Sequence, residues 1–224
     1  MVTKIFDGLF GRRGLLCAAF ILMGILVMQN YVRDKNAMAQ GVTDFNEMRS
    51  DDFISGRYVE GTVYDLIDEF AYEQEYHRTL GIKHGERVAA HYYILPLRAT
   101  AEDERPKFAA LCIENAELAD KAQQMLDEYW SYLETGEEPA AWTEIHITGK
   151  ISPLGGEVEK YFYEWFSAMD ENWTRADIDP MVCPYVITYN EGGASSLSLL
   201  LGIVMIAVGV IGCAKAVIDI RNNG

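Results

Sequence analysis

The chain has 224 residues, half of them hydrophobic, with 19 basic and 34 acidic side chains and a formal net charge of -15. Such an acidic balance argues against nucleic acid as a partner, because a phosphate backbone repels it. Of the 34 acids only Asp7, Asp34 and Asp219 lie outside residues 36–192, leaving 31; of the 19 bases Lys4, Arg12, Arg13, Arg33, Lys35, Lys215 and Arg221 do, leaving 12, so this segment carries -19. The charge reads first as a solvated acidic surface that keeps off anionic headgroups, and it leaves room for a basic partner surface or divalent cations.

In chain order, residues 1–13 form a short basic N-terminus, and residues 14–32 (GLLCAAFILMGILVMQNYV) form the first apolar run. Ala37-Met38-Ala39 resembles a signal-peptide cleavage pattern. Arg33, Asp34 and Lys35 separate it from the apolar run, and that spacing favours an uncleaved anchor. Residues 36–192 follow as a segment long enough to bury a core of its own. Residues 195–214 have no charged side chain; about twenty residues of helix rise roughly 30 Å, the thickness of the hydrocarbon core of a bilayer. Residues 215–224 form a tail with Lys215 and Arg221. Basic residues before the first run and after the second place both termini in the cytoplasm and residues 36–192 outside, although Arg33 and Lys35 oppose that orientation.

Within the central segment, Arg57–Tyr64 reads as a strand. Asp65 then caps a helix with Leu66, Ile67, Phe70 and Ala71 on one face, His77 and Arg78 near its end and Gly81 closing it. Val88–Leu97 is a strand, TAEDERP a turn and KFAALCI another strand. Asn115 caps a second helix with the stripe Leu118, Ala122, Met125, Leu126, Tyr129 and Leu133, ended by Gly136 and Pro139. A strand from Trp142 to Ile151 follows. A third helix starts near Gly156 and carries Val158, Phe162, Trp165, Phe166 and Met169, and MVCPYVITY is a last strand. The fold class expected is α+β: a mixed sheet with about three helices on one face, flanked by two transmembrane helices. The first six elements match the split ferredoxin-like order. The stretch from YVEGTVYDL to YYILPL also echoes that from HITGKISPL to PYVITY, a weak sign of duplication.

The combination of YVEGTVYDLIDEFA, HYYILPL and IHITGKISPL between two apolar runs resembles an uncharacterised family of bacterial two-pass membrane proteins, a domain of unknown function. The resemblance covers most of the chain and implies a bacterial membrane protein. It transfers no activity and no catalytic residue.

Candidate chemistry is sparse. His77, His84 and His91 are spaced by seven; in one helix they would share a face, but Gly81 and Gly85 interrupt them, and zinc needs three or four convergent ligands. His146 reads as a half-buried strand residue. Asp65, Asp68, Glu69, Glu73 and Glu75 spread round a helix without selecting a pair for hydrolysis, and Glu102-Asp103-Glu104 reads as a solvated turn. GxSxG, SxxK, GxGxxG, P-loop, HExxH and CxxC patterns are absent from the sequence. No catalytic, cofactor or metal residue is therefore assigned, and no cofactor is expected. Asn172-Trp173-Thr174 is a glycosylation sequon without meaning in a bacterium.

Of the four cysteines, Cys17 and Cys213 fall in the apolar runs, and Cys112 and Cys183 could pair in an oxidising compartment, a pairing left open because sequence does not show geometry. Tyr161, Phe162, Tyr163, Trp165 and Phe166 make the third helix aromatic all round, with core packing the leading reading and docking the other. Ser198 with Gly202, and Gly209 with Cys213 beside Gly212, form small-residue pairs that permit close helix contact. Their partner is the first run, through Ala19 or Gly24, or a second copy or other membrane protein. The expected role is non-enzymatic: binding, sensing or assembly at the cell envelope, by a protein of the cytoplasmic membrane. The alternatives are an envelope enzyme whose site is dispersed in sequence, around His91 and His146, and an accessory subunit of a transporter.

Overall fold

The computed structural model describes residues 12–39, 41–79, 82–98, 105–189 and 196–222. The chain divides into two units, one formed by residues 1–40 with 192–224 and the other by residues 41–191.

The first unit is a pair of helices, α1 (Arg12–Ala39) and, last in the chain, α5 (Ser196–Asn222). Both are longer than the apolar runs within them. Gly14–Ala39 and Leu197–Asp219 are long and apolar enough to cross a membrane. The pair is antiparallel: Gly202 lies against Met28, whereas Gly209 and Gly212 lie against Cys17. The facing positions are 17, 21, 24 and 28 on α1 and 202, 206, 209 and 213 on α5. Steps of four, three and four are the heptad spacing of a left-handed seam. The glycines bring the backbones together. A Cβ on Gly24 would stand 2.8 Å from the Gly202 carbonyl oxygen, and one on Gly209 would stand 2.8 Å from that of Cys17.

The second unit is one seven-stranded sheet with helices on both faces. Its strands are β1 (Thr43–Asp44), β2 (Tyr58–Val63), β3 (Glu69–Thr79), β4 (Ile82–Pro96), β5 (Phe108–Ile113), β6 (Ile145–Pro153) and β7 (Val182–Tyr189), in the order β1-β2-β6-β7-β5-β4-β3. β1 with β2 and β5 with β7 are parallel pairs, and the other neighbours are antiparallel. Its helices are α2 (Ala116–Thr135), α3 (Gly156–Met169) and the single turn α4 (Arg175–Ile178). The chain is thus α+β with a mixed sheet, as expected. The helices do not share one face, however.

β5 shows why. Ala109, Leu111 and Ile113 join Ala119, Ala122, Met125 and Leu126 of α2 in one buried cluster. Ala110 and Cys112 join Phe162 and Phe166 of α3 and Ile178 of α4 in another. Side chains alternate along a strand, so a strand apolar at every position is covered twice.

One local expectation is corrected. Residues 69–79 are strand β3, not the helix expected after Asp65. Pairing with β4 begins already at Ile67, whose amide donates to the Ile94 carbonyl at 3.0 Å. Asp65 therefore caps no helix, and the Asp68 carboxylate accepts from the Glu69 amide at 2.8 Å and from the Trp165 indole at 2.9 Å. Phe70 and Tyr72 recur at a strand period, and in a window this short a period of two competes with one of 3.6. Gly81, expected to close that helix, lies outside the described residues, as do residues 100–104 of the expected turn TAEDERP. The split ferredoxin-like order loses the helix on which it rested. The echo of one half in the other loses its match as well, because β3 stands where α3 stands in the second copy.

The cysteine pairing that the sequence leaves open does not form. Cys112 is buried on the α3 face and Cys183 on the α2 face, so the sheet separates them and both thiols are free. Burial pushes each thiol up to about 12.

The aromatic third helix resolves mainly into core. Phe162 and Phe166 are buried, Phe162 meets Phe70 edge-on at 5.0 Å, and Tyr161 is exposed.

Candidate functional site

Residues 125–144 run from the middle of α2 to the approach of β6, and they form one side of a cleft. Met125, Tyr129 and Tyr132 lie four and then three residues apart on α2, the spacing of one helix face. Asn115 starts this helix by accepting from the Leu118 amide at 3.0 Å, and Gly136 ends it in the left-handed region at φ 73°. Met125 points into the core and the two tyrosines lie at its margin.

Opposite them, Trp142 and Glu144 come from the segment before β6, and Tyr64 and Asp65 from the segment after β2. Together these residues line a cleft of about 370 Å³. β6 starts at Ile145, not at Trp142 as expected. The intervening residues are held by a side chain. Glu128 of α2 accepts from the Thr143 amide at 2.8 Å and from its hydroxyl at 2.7 Å, and from Gln124 at 2.7 Å. Desolvation pushes the Glu128 carboxyl up, but these hydrogen bonds together outweigh it and hold the group below its ordinary range. Glu128 is therefore a carboxylate that pins the Trp142 segment to α2. Trp142 stands edge-on to Tyr132, with ring centroids 5.7 Å apart.

The cleft combines aromatic walls with two acids. Desolvation raises the Asp65 carboxyl, offset in part by a hydrogen bond from the Leu66 amide. None of the lining residues is basic. Aromatic faces carry negative potential, so rings and carboxylates here attract the same kind of ligand.

A second cleft, of about 560 Å³, runs along the edge strand β3 between Glu69–Tyr72 and Tyr161 of α3. Near it His91 Nδ1 lies 3.0 Å from Glu69 Oε1, and the imidazole stacks on Tyr93 at 6.2 Å. This histidine sits on the α2 face, opposite Ile113.

The other histidines do not join it. His77 and His84 are directly opposite each other across the β3–β4 hairpin, whereas His91 is opposite Tyr72. His91 lies seven positions along β4 from His84, about 23 Å at strand rise. His146 contacts Thr62 at 3.5 Å on the sheet face away from α2. His91 and His146 thus lie on opposite faces of the sheet. Among the described residues no group of three or more His, Cys, Asp or Glu is placed to hold a metal ion.

The acids of 65–75 scatter as well. Asp68 binds Trp165, and Glu75 pairs with Arg87 at 3.2 Å on the exposed hairpin. Glu102, Asp103 and Glu104 lie outside the described residues. In the helix pair, Gly202 and Gly209 face α1 of the same chain, against Met28, Gly24 and Ile21; Gly24, one of the two positions expected on α1, takes part.

Sequence reasoning passed over the cleft because its residues come from three separate segments and each had an ordinary local reading. Tyr64 was a strand end, Asp65 a helix cap and Trp142 a strand start. The surviving signal was the aromatic pair Tyr129 and Tyr132 on the margin of an apolar stripe.

No curated protein matches the chain. A family model described as a domain of unknown function (DUF8577) matches residues 11–219, nearly the whole chain, and the protein belongs to that family.

Proposed function

We propose that the chain is a bacterial two-pass membrane protein that presents an acidic α+β domain outside the cytoplasmic membrane, where it binds, senses or helps to assemble a partner. The observation that carries this reading is the antiparallel pairing of α1 and α5. It places the end of α1 and the start of α5, the two connections to residues 41–191, at one end of the helix pair. Two apolar helices of spanning length so paired send the intervening domain to one side of a bilayer and both termini to the other. Basic residues flanking the runs on the terminal side choose the cytoplasm for the termini. The aromatic and acidic cleft gives the domain a place to hold a partner. The opposite placement of His91 and His146 favours a binding role over a dispersed catalytic site built on those two residues.

Reporter fusions test the topology. Alkaline phosphatase fused after Tyr189 is expected to be active, and green fluorescent protein fused after Gly224 to fluoresce. The reversed pattern overturns the orientation. A specific turnover by the full chain that depends on cleft residues overturns the binding role.

A further inference from the structure

We infer that the cleft lined by Tyr64, Asp65, Tyr129, Tyr132, Trp142 and Glu144 receives an arginine side chain presented by a basic polypeptide partner. The assignment rests on the binding role proposed above and names its ligand.

Two features of the cleft together select a guanidinium. The aromatic walls of tyrosine and tryptophan attract a cation over their faces. Asp65 and Glu144 add hydrogen-bond acceptors, which a quaternary ammonium cannot use because it has no N–H. A guanidinium is planar, weakly hydrated and forked, so it can stack on a ring and donate sideways to carboxylates at once, which the compact lysine ammonium does less well.

The same constellation is already occupied elsewhere in this fold. The Arg175 guanidinium lies 3.6 Å over the Tyr163 ring, with Glu159 at 3.0 Å and Asp179 at 3.6 Å. One arginine, an aromatic face and two carboxylates form a closed set there. The cleft repeats the aromatic and acidic members without a basic residue of its own. Its rim is open, with Tyr64 62% and Trp142 42% exposed, which suits entry of a side chain from an apposed surface. The charge of residues 36–192, 31 acids against 12 bases, steers a basic partner toward the domain.

The test uses the full chain in nanodiscs of zwitterionic lipid, labelled with 5-fluorotryptophan, with the Trp142 signal assigned from Trp142→Phe. N-acetyl-argininamide, N-acetyl-lysinamide and choline are titrated separately at constant ionic strength while the fluorine resonances are followed. The arginine probe is expected to shift the Trp142 signal in a saturable way and to bind more tightly than the other two. Glu144→Gln and Asp65→Asn are expected to weaken it by about tenfold each, the scale of a charged contact over an aromatic face. Glu137→Gln, which removes the same charge from α2's exposed C-terminal flank, is expected to leave it unchanged. Unmoved signals from Trp130, Trp165 and Trp173 report that a variant is folded. A Trp142 signal that never moves, a loss equal in all three variants, or tighter binding of choline or lysine overturns the arginine assignment. Those results leave the topology standing, whereas reversed fusion reporters overturn the topology and leave the cleft chemistry standing.

Discussion

Gly24 of α1 and Gly202 of α5 approach so closely that each would drive an added Cβ to within about 3 Å of the other's carbonyl oxygen: 2.8 Å for Gly24 and 3.1 Å for Gly202. Real side chains do not tolerate the shorter of these. The contact is thus specific for glycine, and it explains why small residues recur on α5 at Gly202 and Gly209. In lipid, where burial of apolar surface supplies no drive between helices, such close packing is what holds a pair together.

Gly202→Leu and Gly209→Leu are therefore expected to separate the helices, at a cost of about 1–3 kcal/mol for forced overpacking. Cys17 and Cys213 supply the readout, because the Cys213 thiol is within hydrogen-bonding reach of Cys17. Copper-phenanthroline should join these two cysteines within one wild-type chain, and the joined fraction should fall sharply in either leucine variant. Efficient joining in both variants contradicts the packing.

Cys112 and Cys183 are expected to remain thiols even in an oxidising compartment, since the sheet lies between them. Their folded-state pKa values near 12 keep them protonated at pH 8, and the thiolate is the reactive form. Iodoacetamide should thus label them slowly in the folded protein and fully after denaturation without reductant. A mass showing a disulfide between them contradicts the fold.

The hydrogen bonds of Glu128 make part of the domain's stability depend on pH. Its folded pKa lies below the ordinary 4.5, so its contribution is present above the unfolded value and lost as the pH falls through the folded one. Asp177, lowered first by the Thr174 hydroxyl and then by its amide, acts in the same direction. Glu128→Gln should cost about 1 kcal/mol at pH 7, the scale of a hydrogen bond to a charged group that is partly exposed. It should also flatten the fall of Tm below pH 4.5. An unchanged acid limb in the variant contradicts the assigned role.

Phe162 is fully buried and meets Phe70 at 5.0 Å and Phe166 at 5.3 Å. Phe162→Ala should destabilise the domain by about 3–5 kcal/mol in denaturant unfolding. A loss below 1 kcal/mol contradicts the placement of α3 on the sheet.

How far the sequence carried the fold can be followed in particular residues. Asn115 and Gly136 bracket α2 as expected, because caps are local chemistry that two or three residues determine. Residues 65–80 read as a helix because Leu66, Ile67, Phe70 and Ala71 suit a helix face, while Phe70 and Tyr72 suit a strand equally well. Pairing with β4, distant information for a short window, decided the outcome. The run FAALCI, residues 108–113, holds a further signal: its unbroken apolar character marks a strand covered on both faces, against helices confined to one. The cleft was out of reach for a different reason. Tyr64, Tyr132 and Trp142 meet only once β2, α2 and β6 are assembled, and no local pattern links them.

The proposed topology holds residues 41–191 outside the membrane on two paired spans. It is tested most directly by treating intact cells with a membrane-impermeant amine reagent and mapping labelled lysines by mass spectrometry. Lys107, Lys121, Lys150 and Lys160 are predicted to be labelled in intact cells while Lys4 and Lys215 are protected until lysis. Labelling of the central lysines only after lysis would contradict the claim and place the acidic domain in the cytoplasm.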